Sequence, residues 1–170
     1  FNADGYEVNP VIISPERKTQ LNQNLMLFFT GFSRFSSDIQ QTTEKALVDK
    51  QKQLLEMLSL VDDAEKVLTS KTDLNEFGRL LDYTWKLKRG ISNRISTDSI
   101  DGLYAKGIAA GALGGKLLGA GGGGFLLFYV EPDKQEAVHK AMEELLYVPF
   151  EFENSGTRVI HYTPETYEKR

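Results

Sequence analysis

Cysteine is absent from the 170 residues. That excludes a disulfide framework, a thiolate metal centre and a cysteine nucleophile, and it suits a cytoplasmic protein. Histidine occurs twice, at His139 and His161, one in an amphipathic stretch and one near the end, with no partner at a spacing that metal binding or triad chemistry uses. Positive charge is scarce as well: 20 Lys and Arg stand against 24 Asp and Glu, a formal net charge of −4. A general nucleic-acid binder would show a basic face, and the longest basic cluster here is "KLKR", Lys86 to Arg89. No apolar run approaches the roughly 18 residues that span a bilayer, and no signal-peptide pattern opens the chain. The reading is a soluble intracellular protein. What is present is enough for a core, since 41% of residues are hydrophobic in a length that fits one domain, or one and a piece of another.

Along the chain, "FNADGYEVNP" reads as the stub of a strand, a turn at Ala3-Asp4-Gly5 and an extended segment from Tyr6 to Ile13, because Asp-Gly between apolar residues is a hairpin signal. The chain starts at Phe1 and reads as beginning in the middle of a fold. Ser14-Pro15-Glu16 starts a short helical turn, and Asn24 to Thr30, "NLMLFFT", reads as a buried strand. Leu47, Leu54, Leu55, Leu58, Val61, Val67 and Leu68 recur at helical spacing, for one long helix or two in tandem. Asp73 with Glu76 reads as a capping box for a helix whose apolar face carries Leu74, Phe77, Leu80, Leu81, Thr84 and Trp85. Asp98 with Asp101 reads as the capping pair of a further helix bearing Ile100, Leu103, Tyr104 and Ile108. Then come strand Phe125–Val130, a helix from Pro132 to Leu146, strand Pro149–Phe152, a turn at Asn154-Ser155-Gly156 and strand Arg158–Tyr162. This order predicts an α+β sandwich, helices on one face of a mainly antiparallel sheet.

The richest feature is "GALGGKLLGAGGGGFLLFYVEP". Eight of the fourteen residues from Gly111 to Gly124 are glycine. Glycine is spent where the backbone takes φ > 0 or meets something closely. A dinucleotide fingerprint needs a strand before the glycines and a helix after them, the reverse of this order. A phosphate loop of the Gly-x4-Gly-Lys-Ser/Thr type is excluded too, with Ala110 where its first glycine belongs and Leu117 where its hydroxyl belongs. What remains is a helix-to-strand loop whose successive N–H groups can line an anion-binding concavity, or one packed tightly against a neighbour.

"GGKLLGAGGGGF" followed by an apolar strand resembles the third motif of the GHMP kinase superfamily, which includes galactokinases, homoserine kinases, mevalonate kinases and phosphomevalonate kinases. With "LMLFFTGFSRFSSDI", "FGRLLDYTWKLKRGIS" and "VPFEFENSGTRVIHY", the likeness extends to the sugar kinases of that superfamily that phosphorylate D-glycero-α-D-manno-heptose 7-phosphate at C1, with L-fucokinases more distant. The resemblance implies a ferredoxin-like GHMP kinase C-terminal domain over residues 32–170, preceded by the last strands of the N-terminal domain over 1–31. It implies ATP and magnesium as cofactors, a phosphorylated sugar as substrate, and the N-terminal half of the same kinase as partner. The ATP-phosphate loop and catalytic aspartate of that family fall upstream of Phe1, so the catalytic residue is not in these residues and the segment by itself is expected to be inactive.

The resemblance also assigns sites. Gly119, Ala120, Gly121, Gly122, Gly123 and Gly124 form the nucleotide and phosphate loop, with Ala120 to Gly123 nearest the transferred group. Thr30, Gly31 and Arg34 sit by the substrate; on chemistry alone Thr30 presents a hydroxyl at a strand end and Arg34 can clamp a phosphate, while a helix cap and a surface ion pair explain them as well. Lys116 can reach a phosphate or lay its stem over apolar surface. Lys86, Lys88 and Arg89 can serve a substrate phosphate or the helix dipole. Ser33 and Ser36 read as caps, and no residue is assigned to a metal. A non-catalytic binding module, an assembly edge that pairs with a complementary chain, and a kinase for another sugar such as fucose or galactose are the competing readings.

Overall fold

The computed structural model describes residues 5–31, 50–92, 95–119, 121–154, 157, 159 and 161–162. Ser14 starts the first helix: its hydroxyl accepts from Arg17 N–H at 3.2 Å, and Pro15 takes the first helical position, where its missing N–H costs nothing. This helix, α1 (Pro15–Gln23), runs directly into β1 (Leu25–Phe29). Next come α2 (Gln51–Thr69), α3 (Asn75–Arg89) and α4 (Asp98–Ala109), then β2 (Gly114–Leu117), β3 (Phe125–Tyr129), a 3₁₀ turn at Pro132–Lys134, α5 (Gln135–Ala141) and β4 (Leu146–Tyr147).

The four strands form one sheet in the order β2-β3-β1-β4 with every neighbouring pair antiparallel. This is the split βαββαβ arrangement of ferredoxin-like folds. Because side chains alternate across a strand, the sheet carries a hydrophobic cluster on each face. Met26, Phe28, Leu117, Leu126, Phe128 and Val130 join Trp85, Tyr104, Ile100, Val138 and Met142 in one. Leu25 and Tyr129 join Leu21, Val67 and Leu74 in the other. The packing thus extends to the second face, beyond the one-sided helical layer that the sequence pattern implies. β1 is an interior strand, bonded to both β3 and β4.

Glycine sets how closely α3 and α4 lie on this sheet. A Cβ at Gly114 would stand 1.9 Å from the Gly78 carbonyl, and one at Gly107 would stand 2.5 Å from the Phe128 ring. α2 turns in Leu54, Met57 and Val67 and leaves Leu55, Leu58 and Val61 exposed. Its last carbonyls are satisfied from α1, where Arg17 Nε donates to Leu68 O at 2.8 Å and Nη2 donates to Val67 O, a side-chain substitute for the missing helical partners.

Several elements depart from the sequence reading. The helix after Pro132 is a 3₁₀ turn followed by a seven-residue α5 that ends at Ala141, with Val138 and Met142 turned inward. The strand expected at Pro149–Phe152 falls earlier, at Leu146–Tyr147. Val148 N–H still reaches Leu27 O at 2.8 Å, but beyond it the Asn22 amide takes over, donating to Phe150 O and accepting from Phe152 N–H at 3.1 Å each. Val159, His161 and Tyr162 are not in a strand. Arg158, the Ala3-Asp4 turn, the first part of the long helix with Leu47, and Ser155-Gly156 lie outside the described residues.

The caps differ as well. Asp73 Oδ1 accepts from Asn75 N–H at 3.0 Å, while Glu76 pairs with Arg79 instead of closing a capping box. Thr97, not Asp98, caps α4 by accepting from Ile100 N–H. Asp101 is held by Ser96 Oγ and by the Arg89 guanidinium, which ties the end of α3 to the start of α4.

Candidate functional site

Within the glycine-rich stretch the chain folds as a β-hairpin. β2 pairs with β3 from Gly114↔Tyr129 to Leu117↔Leu126, and Leu118 N–H closes the hairpin on Phe125 O at 2.8 Å. A loop from helix to strand was expected; instead a short strand intervenes, hidden because Gly114 and Gly115 supply no side chains to alternate. Gly115 is itself dictated by contact, as a Cβ there would stand 2.4 Å from Leu127 O.

The hairpin loop is fastened at three points. Thr30, buried at the end of β1, donates its hydroxyl to Gly124 O at 2.9 Å and accepts from Gly124 N–H at 3.2 Å. Gly122 N–H donates to Ile95 O at 2.9 Å. Lys88 Nζ donates to Gly119 O at 2.7 Å. Between these anchors the backbone takes conformations that only glycine adopts without strain, with φ of +81° at Gly119, +122° at Gly121, +73° at Gly122 and +107° at Gly124. Gly121 also needs the space, for a Cβ there would stand 2.7 Å from Ile95 O. Gly119 has open space where its Cβ would be.

Three amides of the loop are unspent. Gly119, Gly121 and Gly123 N–H donate to no acceptor among the described residues, although Gly121 is buried and Gly123 half-buried. Buried N–H groups are nearly always paired, so a row of free ones at the mouth of a hairpin is a place for an anion.

Two cations stand beside it. Lys88 and Lys116 are both half-buried. Burial holds each ammonium below the ordinary lysine range, and for Lys88 the charge of Lys116 adds to the effect. The Lys116 ammonium makes no hydrogen bond or ion pair with any described residue. The other members of the basic cluster are neutralised: Lys86 pairs with Asp82 at 2.6 Å, and Arg89 with Asp101. Asp82 also accepts from the Tyr104 hydroxyl at 2.8 Å; burial, then this hydrogen bond, pushes Tyr104 well above the usual tyrosine range.

Thr30 therefore works on the loop, and a cleft of about 310 Å³ opens beside it, lined also by Asp98, Ser99, Leu103, Lys106 and Glu144. Gly31 is exposed with φ of +75°. Arg34, Ser33, Ser36 and Ala120 lie outside the described residues. Sequence reasoning set Lys88 level with its neighbours Lys86 and Arg89. A spacing signal separates Lys88 from Lys86 alone, since Asp82 precedes Lys86 by four positions and no acidic residue lies four positions from Lys88; Arg89 lacks one too and finds Asp101 only through packing.

Residues 60–148 match the family described as GHMP kinases C terminal. The chain belongs to that family. Over 162 residues it is 33% identical to the D-glycero-alpha-D-manno-heptose 7-phosphate kinase of Campylobacter jejuni, which takes in 93% of this chain and 48% of that protein. It is 36% identical over 89 residues to the mevalonate kinase of Pyrococcus abyssi, covering 51% of this chain and 26% of the relative. The crystal structure of Methanococcus jannaschii mevalonate kinase superposes with a TM-score of 0.66 at 23% identity, over 80% of this chain and 42% of that one, a likeness of fold. The chain thus spans at most about half the length of these relatives. In this GHMP kinase C-terminal domain the glycine hairpin, its unspent amides and the two lysines that meet no carboxylate among the described residues lie at one end of the sheet.

Proposed function

We propose that this domain is the C-terminal part of an ATP-dependent sugar kinase that phosphorylates the anomeric C1 hydroxyl of D-glycero-α-D-manno-heptose 7-phosphate. The observation that carries a phosphoryl-transfer reading is the anchored glycine hairpin, with three N–H donors unspent among the described residues. The choice of sugar is supported by the identity with the Campylobacter jejuni heptose 7-phosphate kinase along nearly the whole chain. A cytoplasmic location, where ATP and sugar phosphates are kept, goes with this reading.

ATP, as its magnesium complex, supplies the phosphoryl group. Phosphoryl transfer asks protein for alignment and for donors aimed at developing charge. The amides of Gly119, Gly121 and Gly123 are such donors, and they fit an anionic group. Thr30, Ile95 and Lys88 hold their loop in place, so the donors need little reorganisation when charge builds. Among the described residues no group of three or more His, Cys, Asp or Glu could hold a metal ion, so no step here is assigned to magnesium. The ATP-phosphate loop and the base that activates the C1 hydroxyl belong, in this reading, to the other half of the enzyme.

Gly123 gives the cleanest test, since it is not among the glycines with positive φ. In the full-length protein Gly123→Val keeps the amide but sets a branched side chain in the path of the anion, and should lower kcat by about 100-fold or more, the scale on which an oxyanion-type contact acts, while the melting temperature stays close to that of the parent. Undiminished turnover would remove the loop from the active site. Retained ligand binding without transfer in the parent protein would favour the binding-module reading.

A further inference from the structure

Lys88 and Lys116 come to the glycine hairpin from different elements, one from the last turn of α3 and one from β2. Their neighbours on α3 meet carboxylates; this pair meets none among the described residues. Among the described residues Lys88 gives one donor to Gly119 O and keeps two of its three, and Lys116 keeps all three. Half-buried like charges set against each other oppose folding. The arrangement becomes favourable when an anion lies between them.

The register places Lys116 on the sheet face of Leu127 and Phe125. Phe125 is exposed, and its ring lies 5.2 Å from that of Phe29 on the neighbouring strand. An apolar aromatic shelf therefore adjoins the two ammonium groups, the pairing that a phosphorylated sugar presents in mirror image: a dianion at one end and a ring with an apolar C–H face beyond it.

We propose that Lys88 and Lys116 form a separate anion subsite that binds the phosphate monoester the sugar substrate already carries, while the loop amides attend the phosphoryl group in transfer. A phosphate monoester bears about −1.5 to −2 charges near neutral pH, the counterpart of two ammonium groups. This inference rests on the sugar-phosphate kinase reading and adds to it how such a substrate is told from an unphosphorylated sugar.

The test uses the full-length protein with Lys88→Met and Lys116→Met, which keep the apolar stem and remove the charge, and with Lys86→Met as the control outside the subsite. KM is measured separately for heptose 7-phosphate and for ATP. Independently, the rise in melting temperature caused by inorganic phosphate is measured without ATP. Each subsite variant should raise KM for the sugar phosphate about tenfold or more, the loss of one charge-assisted hydrogen bond, with KM for ATP nearly unchanged. Each should also lose the phosphate-induced thermal shift, and Lys116→Arg should recover part of both; Lys86→Met should change neither. An equal rise in KM for ATP would assign the pair to the nucleotide and overturn the proposal. Unchanged KM values together with an unchanged thermal shift would leave the lysines as stems over apolar surface and overturn it as well. A parent protein that turns over no sugar phosphate yet shows a phosphate shift that both variants lose would sink the kinase reading and sustain the subsite.

Discussion

Lys116 stands out in the sequence, while the company it keeps is set by packing alone. Its place beside the glycines marks it as a candidate, and its stem does lie half-buried; what the sequence does not disclose is that Lys88, which precedes it by the whole of α4 and the loops on either side, faces the same loop. Charge pairing along a helix is legible four residues at a time, so Lys86 with Asp82 could be read, whereas a pairing between β2 and α3 depends on packing. The lowered ammonium values have a consequence for stability. A lysine whose folded value lies below its unfolded one weakens the fold while both forms are protonated, and the penalty fades as pH rises through the folded value toward 10.5. Lys116→Met should therefore melt higher than the parent at neutral pH, and the gap should narrow as pH approaches 10.5. Thermal melts across that range check it; a gap that does not move with pH would mean that the ammonium carries no penalty.

At the scale of elements, those with strong apolar periodicity were legible: α3 turns in Leu74 and Trp85, and α4 turns in Ile100, Leu103 and Tyr104, as the spacing predicts. β1 and β3 were equally clear, because continuous apolar runs suit strands buried on both faces. β2 was not, since Gly-Gly-Lys-Leu has neither alternation nor β-branched residues, and its pairing follows from the room that glycine gives to α3. β4 was misplaced because the two segments Leu146–Tyr147 and Pro149–Phe152 look alike in composition, and the side chain of Asn22 decides where the ladder stops. The cap of α4 was missed by one residue: Thr97 and Asp98 are both good caps, and Asp98 lies inside the first turn. Thr97→Ala should thus cost about 1 kcal/mol of stability, and Asp98→Ala distinctly less. Chemical denaturation of the two variants distinguishes them, and the reverse order would return the cap to Asp98.

For the whole molecule, the α+β class and the GHMP kinase membership could be argued from residues and motifs, and the family match over residues 60–148 bears the membership out. The hairpin, the three anchors of its loop and the isolation of its two lysines could not, because each joins segments far apart in sequence: Thr30 with Gly124, Gly122 with Ile95, Lys88 with Gly119. These contacts give the central claim its physical content, a loop held rigid by its surroundings with its donors left free for a phosphoryl group. The direct measurement is phosphorus NMR of the full-length protein incubated with ATP, magnesium and heptose 7-phosphate. The account predicts growth of an anomeric phosphate signal, split by the C1 proton, in step with the appearance of ADP and with the 7-phosphate signal retained. ATP left intact, or consumed to ADP with only inorganic phosphate formed, would contradict it.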